Sequence, residues 1–221
     1  MKTLRRTLSI LVLIVPLTAA AGGCQFFAWF VAQFSPPKKV EALYKLPKGK
    51  KVLVFVDDFR RPVRWEPIKE LLTERVNAEL TEQKLAATTV PYEKLEDLAH
   101  STRDFNKLSI PRIGHSLGAE LVVYVEIREF GLKENDQSPL WQGRMDANVK
   151  IVDPRKGTLW PEDRPDGYPL SYAEPRPSEN LSETYGRVVA KNVAAKMGRK
   201  IARLFYDHTV PTRVFEDEGE E

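Results

Sequence analysis

Hydrophobic residues recur along the chain with two periods, and these periods predict where strands and helices lie. The segment 52–56, VLVFV, is a continuous apolar run rich in β-branched residues, which is typical of a buried strand. Apolar residues then recur every four positions at Ile68, Leu72, Val76 and Leu80, which predicts an amphipathic helix ending near Lys84. Strict alternation over 121–128, LVVYVEIR, predicts a strand with two distinct faces.

The remaining segments complete the predicted order of elements. A short strand is expected at 85–91, two short helices at 92–100 and 107–117, an alternating strand at 145–151 and a return strand at 158–160. The stretch 162–180 contains four prolines and is predicted to be irregular surface. A last helix is predicted from 182 to 206, with Val189, Val193, Met197, Ile201 and Phe205 on its buried side. The pattern predicts an α/β fold, an α+β sandwich with a mixed sheet of about five strands in the order β-α-β-α-β-β-β-α and a long C-terminal helix.

The N-terminal segment indicates export. Three cations precede an apolar run over 8–20, which is too short to span a membrane comfortably but has the length of a signal-peptide core. The stretch TAAAGGC, ending at Cys24, resembles the lipobox of bacterial lipoproteins, although Ala21 replaces the usual Leu, Val or Ile. The resemblance implies that residues 1–23 are a lipoprotein signal peptide and that Cys24 is lipidated. A plain secretory signal with an incidental cysteine is the alternative.

This interpretation sets the predicted domain organisation and location. Residues 24–50 form a lipidated apolar segment and tether, 51–210 a single α/β domain and 211–221 an acidic tail. The apolar stretch 25–34 either lies in the membrane interface or packs on the domain. Gln25 follows Cys24 and, by resemblance, favours the outer membrane, with the protein facing the periplasm.

Charge argues against nucleic acid as a partner. The chain has 34 basic and 31 acidic side chains, and removal of residues 1–23 takes away Lys2, Arg5 and Arg6 and no acid. The mature protein then has 31 of each and is formally neutral, whereas nucleic-acid binders are usually basic. Cys24 is the single cysteine, so no intramolecular disulfide can form.

The sequence GHSLGA, 114–119, matches the G-x-S-x-G nucleophile elbow of α/β-hydrolases. An elbow requires a strand before the serine and a helix after it. Pro111 argues against a preceding central strand, and the alternating segment 121–128 predicts a strand afterwards. We therefore expect a helix that Gly118 caps, then a strand, with Ser116 at the helix end and no catalytic residue. A serine hydrolase remains a weaker alternative, because acids and His208 follow Ser116 in the expected order.

Several other polar residues are candidate sites. Asp57 and Asp58 follow the first strand, as magnesium-binding acids do in phospho-receiver domains, but a solvated strand-end pair is the simpler interpretation. His100, His115 and His208 lack metal-ligand spacing, so we expect no metal and no cofactor. The segment 59–65, FRRPVRW, is a candidate partner contact. A run of cations without acids on the last helix is either a solvated face or a partner contact: Arg187, Lys191, Lys196, Arg199, Lys200 and Arg203.

Two longer stretches resemble a known group of envelope proteins. IGHSLGAELVVYVEI, 113–127, and WQGRMDANVKIVDPRKGTLW, 141–160, resemble segments of periplasmic lipoprotein domains of the CsgG, LpoB and TolB N-terminal type. The resemblance implies an α/β sandwich used in envelope assembly, without a catalytic site. We therefore predict a membrane-anchored, non-catalytic binding or assembly module with an envelope protein partner. An auxiliary lipoprotein of a transport or secretion machine is the alternative.

Overall fold

The computed structural model describes residues 38–58, 63, 65, 67–133, 137–179, 182 and 184–210. Cys24, the signal peptide, the apolar segment 25–34, most of 59–65 and the acidic tail lie outside the described residues. The chain divides into two compact units. One contains residues 42–206, and the described residues of the other are 38–41 and 207–210. In this second unit, strand β1 (Lys38–Val40) pairs in antiparallel fashion with strand β9 (His208–Val210).

The larger unit is built on a seven-stranded mixed sheet. Five strands follow the order β3-β2-β4-β5-β6, and β7 and β8 also pair with β5. Strand β2 is parallel to β3 and β4, and the remaining pairs are antiparallel. The strand bounds are β2 Lys51–Asp57, β3 Thr88–Thr89, β4 Leu121–Lys133, β5 Leu140–Asp153, β6 Gly157–Trp160, β7 Tyr168–Ala173 and β8 Ser178–Glu179.

Helices cover the two faces of this sheet and bury two separate cores. Their bounds are α1 Pro67–Glu82, α2 Tyr92–Ser101, a 3-10 turn Phe105–Lys107, α3 Ile110–Ser116 and α4 Tyr185–Arg203. Because successive residues of a strand face opposite sides, Val54 packs with α1 and α4 while Phe55 packs with α2 and α3. The α+β fold with its C-terminal helix is confirmed.

The prediction of irregular structure over 162–180 is wrong, because strands β7 and β8 lie there. Tyr168, Leu170 and Tyr172 alternate along β7 and pack against the core that α4 covers. Pro169 is tolerated because β7 pairs with β5 alone among the described strands. The Ser171 carbonyl accepts a hydrogen bond from the side chain of Lys200, and Pro169 lies two residues earlier on the same strand.

Part of the predicted tether packs with the larger unit. Residues 42–50 belong to the same compact unit as 51–206. Leu46 is buried in the core, and the Tyr44 N–H donates a hydrogen bond to the Leu204 carbonyl at 3.0 Å. Helix α4 is also shorter than predicted at both ends, although Phe205 remains buried just beyond it.

Candidate binding surfaces

The GHSLGA segment forms a helix end and not a nucleophile elbow. Helix α3 ends at Ser116, Gly118 has φ +63°, and β4 begins at Leu121, as predicted. A Cβ built on Gly114 would lie 2.6 Å from Val122 Cγ2, so this glycine allows α3 to pack closely against the sheet. The two glycines of the motif therefore serve packing and capping.

Ser116 lacks the surroundings of a catalytic nucleophile in the part of the chain that the structure describes. Its side chain is exposed and makes no hydrogen bond to a described residue. A serine nucleophile is weak unless a general base within hydrogen-bond reach activates it. Among the described residues, the geometry offers no such base to Ser116.

Three of the six predicted cations lie on the exposed side of α4 and have no partner among the described residues. Arg187, Lys191 and Lys196 are exposed, and their side chains make no ion pair or hydrogen bond with any described residue. Val188, one of the exposed large hydrophobic residues, is 48% exposed and lies between Arg187 and Lys191 in the chain. We call the surface formed by Arg187, Val188, Lys191 and Lys196 the basic face.

Two of the other three predicted cations bind groups of this chain. Arg199 Nε lies 3.2 Å from the Glu79 carboxylate, which is buried and also pairs with Arg75. Lys200 Nζ donates to the Ser171 carbonyl at 2.9 Å. Arg203 is half-buried, and its Nε is buried without a hydrogen-bond partner among the described residues. We therefore leave these three residues out of the candidate surface. The i,i+4 spacing of Arg75 and Glu79 signalled their pair, but nothing in the sequence indicated that Arg199 would join it.

A cleft of about 400 Å³ lies on the face of the sheet that α3 covers. Its lining joins residues that are far apart in the sequence, so sequence patterns did not reveal it. The lining residues are Phe55, Asp57, Phe105, Asn106, Leu108, Ser109, Ile110, Pro111, Ile113, Tyr124, Val152, Gly157 and Thr158. Edge-to-face packing holds Phe55 between Tyr124 and Phe105, with ring centroids 5.5 and 6.3 Å away.

The paired acids at the end of β2 have different partners. The Tyr124 hydroxyl donates to the Asp57 carboxylate at 2.7 Å. Asp58 accepts hydrogen bonds from Lys69 Nζ at 3.3 Å and from the Val63 N–H at 2.9 Å. Within the described residues, the side chains of His, Cys, Asp and Glu nowhere gather in a group of three that could hold a metal ion.

Two carboxylates near the ends of strands, one half-buried and one exposed, have lowered pKa values. Asp153 accepts hydrogen bonds from the N–H groups of Arg155 and Lys156, at 2.8 and 3.1 Å, and these bonds lower its pKa, with Arg155 contributing most. The hydrogen bond from the Lys50 side chain, at 2.8 Å, is the main cause of the lowered pKa of Glu120. Both groups stabilise turns next to the sheet, and neither lines the cleft.

Comparisons with known proteins give structural neighbours only. The sequence matches no protein-family model and no curated protein. Lipoprotein GNA1162 from Neisseria meningitidis is 17% identical with a TM-score of 0.42, over 69% of this chain and 99% of that one. The PelC dodecamer from Paraburkholderia phytofirmans is 13% identical with a TM-score of 0.41, over 77% and 98%. A minor lipoprotein from Acinetobacter baumannii is 11% identical with a TM-score of 0.37, over 70% and 90%.

The structural neighbours thus include bacterial lipoproteins. At TM-scores below 0.5, this likeness assigns no function to the chain, and the resemblance to CsgG, LpoB and TolB stays a prediction. Among the described residues, no helix combines the length and the apolar character needed to cross a bilayer.

Proposed function

We propose that this chain is a membrane-anchored envelope lipoprotein, lipidated at Cys24, that acts as a non-catalytic binding module. Its α4 basic face docks onto an acidic surface of an envelope protein partner. The observation that carries the proposal is the set of three exposed cations, Arg187, Lys191 and Lys196, whose side chains have no partner among the described residues. Location in the outer membrane, facing the periplasm, belongs to the same proposal.

The packing of α4 supports a preorganised surface. The opposite side of the helix is fully buried at Val193 and Met197. A Cβ on Gly186 would lie 2.7 Å from the Trp141 ring, so the first turn of α4 sits directly on the sheet. A helix held on this side presents its outer cations in a fixed arrangement, which lowers the entropic cost of binding.

The composition of the basic face favours a protein over a lipid surface as the partner. Val188 gives the face an apolar residue among cations, and protein interfaces combine a desolvated apolar centre with a polar rim. An acidic partner would pair with side chains that lack an internal partner, so docking breaks no ion pair among the described residues. An auxiliary lipoprotein of a transport or secretion machine would use the same surface and differ in the identity of the partner.

A site-directed crosslink tests the proposal. A photo-crosslinking residue at position 191 of the full chain should capture an envelope protein through an acidic segment, with a yield that falls as salt is raised. The same residue at Lys94, an exposed cation of α2, is the matched control and should not capture that protein. Capture through a segment without acidic residues, equal capture from position 94, or crosslinks to lipid alone would contradict the proposal.

A further inference from the structure

The cleft beside β2 has the size and lining of a small binding site. Its volume of about 400 Å³ falls within the range of ligand pockets, about 300 to 1,000 Å³. Its apolar lining includes Phe55, Leu108 and Ile113, and its neutral polar lining includes Asn106 and Thr158. It reaches Asp57, the last residue of β2, and ligands of α/β folds commonly bind beyond the carboxyl ends of strands.

The charge of the lining selects a class of ligand. Among the described residues that line the cleft, Asp57 alone carries a formal charge, so the lining combines one negative group with apolar and neutral polar surface. Tyr124 is 8% exposed, and its hydroxyl donates to Asp57 at 2.7 Å, which fixes the orientation of the carboxylate. A carboxylate accepts up to about four hydrogen bonds, so a ligand can share Asp57 with the partners that it already has.

We infer that the cleft binds an organic ammonium group, with the cationic head at Asp57 and an apolar stem against Phe55 and Ile113. A charge-assisted hydrogen bond to a carboxylate is stronger than a neutral one, and burying the stem adds hydrophobic free energy. A lysine side chain of a partner protein and a free amine present the same chemistry. The site is separate from the basic face, so either assignment can fail without the other.

Three probes of equal length test the inference on the full chain. Hexylammonium, hexanol and hexanoate share an apolar stem and differ in the charge of the head. We expect hexylammonium to bind about tenfold more tightly than hexanol, the gain from a hydrogen bond to a charged group, and hexanoate to bind most weakly. Chemical-shift changes at Phe55, Tyr124 and Ile113 locate the binding. Hexylammonium that binds no more tightly than hexanol would overturn the inference.

Two variants assign the charge preference to Asp57. Asp57→Asn keeps the size of the side chain and should remove the preference for hexylammonium over hexanol. Asp163→Asn removes an exposed acid outside the cleft and should keep the preference. A folded Asp57→Asn variant that retains the preference would also overturn the inference. If this variant does not fold, the comparison of the three probes on the unaltered chain still decides the outcome.

A lysine whose α-amino and α-carboxyl groups are both blocked keeps its side-chain ammonium. This probe separates the two sources of the ammonium group. Competition between blocked lysine and hexylammonium would show that the cleft accepts a lysine side chain, as a partner protein would present it. Binding of hexylammonium without competition from blocked lysine would identify a free amine. Crosslinking from position 191 is read separately, so failure of the proposed partner does not alter the result at the cleft.

Discussion

Gly114 of α3 packs against Val122 of β4 so closely that a Cβ on the glycine would come within 2.6 Å of the valine Cγ2. This contact and the positive φ of Gly118 account for both glycines of the GHSLG sequence. The motif is thus explained by the way α3 packs on the sheet and turns into β4. Ser116, between the two glycines, is exposed at the end of the helix.

The glycine and the serine of this motif should respond differently to substitution. Gly114→Ala should lower the free energy of unfolding by about 1 to 3 kcal/mol, because the added methyl group overpacks the contact with Val122. Ser116→Ala should change it by less than about 0.5 kcal/mol, as expected for an exposed side chain without a partner among the described residues. Urea denaturation measures both. Covalent labelling of Ser116 by a fluorophosphonate probe would contradict this account and support the hydrolase alternative.

Two valines of α4 distinguish its buried side from its exposed side. Val193 is fully buried, so Val193→Asp should lower the free energy of unfolding by several kcal/mol and prevent stable folding. Val188 is 48% exposed. The matched control Val188→Asp should therefore change the free energy of unfolding by less than about 0.5 kcal/mol. Circular dichroism melts of the two variants give the comparison. Similar losses of stability in both would mean that α4 packs differently.

The hairpin turn between β5 and β6 should be sensitive to acid. Hydrogen bonds from the Arg155 and Lys156 N–H groups lower the pKa of Asp153 in the folded state, so its charged form adds stability above the ordinary pKa of 3.8. This contribution is lost as the pH falls through the lowered folded pKa. In Asp153→Asn the amide oxygen can still accept the hydrogen bonds from the two N–H groups, but the side chain does not titrate. As the pH falls through the folded pKa of Asp153, the wild type should therefore lose stability relative to this variant.

An NMR titration of the Asp153 carboxyl measures this effect directly. The midpoint should lie below 3.8 in the folded protein. A midpoint at or above this value would show that the two N–H groups do not hold the carboxylate.

Sequence patterns predicted the helices and main strands because the residues buried in these elements recur along the chain with the same period as its apolar residues. The valines of β2 and the four-residue repeat of α1 are examples, and both lie in the core. Strand β7 was missed because the four prolines of 162–180 suggested a loop, whereas Pro169 is accommodated where β7 pairs on one side only among the described strands. The cleft and the Arg199–Glu79 pair were missed because they depend on contacts between residues far apart in the sequence.

Lipid attachment at Cys24 is a prediction outside the described residues. A fatty-acid analogue should label the wild type and leave Cys24→Ser unlabelled, because the thiol is the attachment point that the lipobox resemblance implies. Several acyl chains, each contributing about 0.8 kcal/mol per buried methylene, should keep the wild type with membranes while the variant is released. Equal labelling of both chains would contradict the assignment.

Reversal of charge on the basic face tests the central claim most directly. Arg187, Lys191 and Lys196 are changed together to Glu, with the crosslinking residue at the exposed Val188. The control changes three other exposed cations, Lys94, Arg103 and Arg112, to Glu, so the net charge is the same. The quantity measured is the crosslink yield to the partner, at matched thermal midpoints, because exposed charges contribute little to stability. Loss of the crosslink in the α4 variant, with retention in the control, is the predicted result. An unchanged yield in a stable α4 variant would contradict the claim that this face binds the partner.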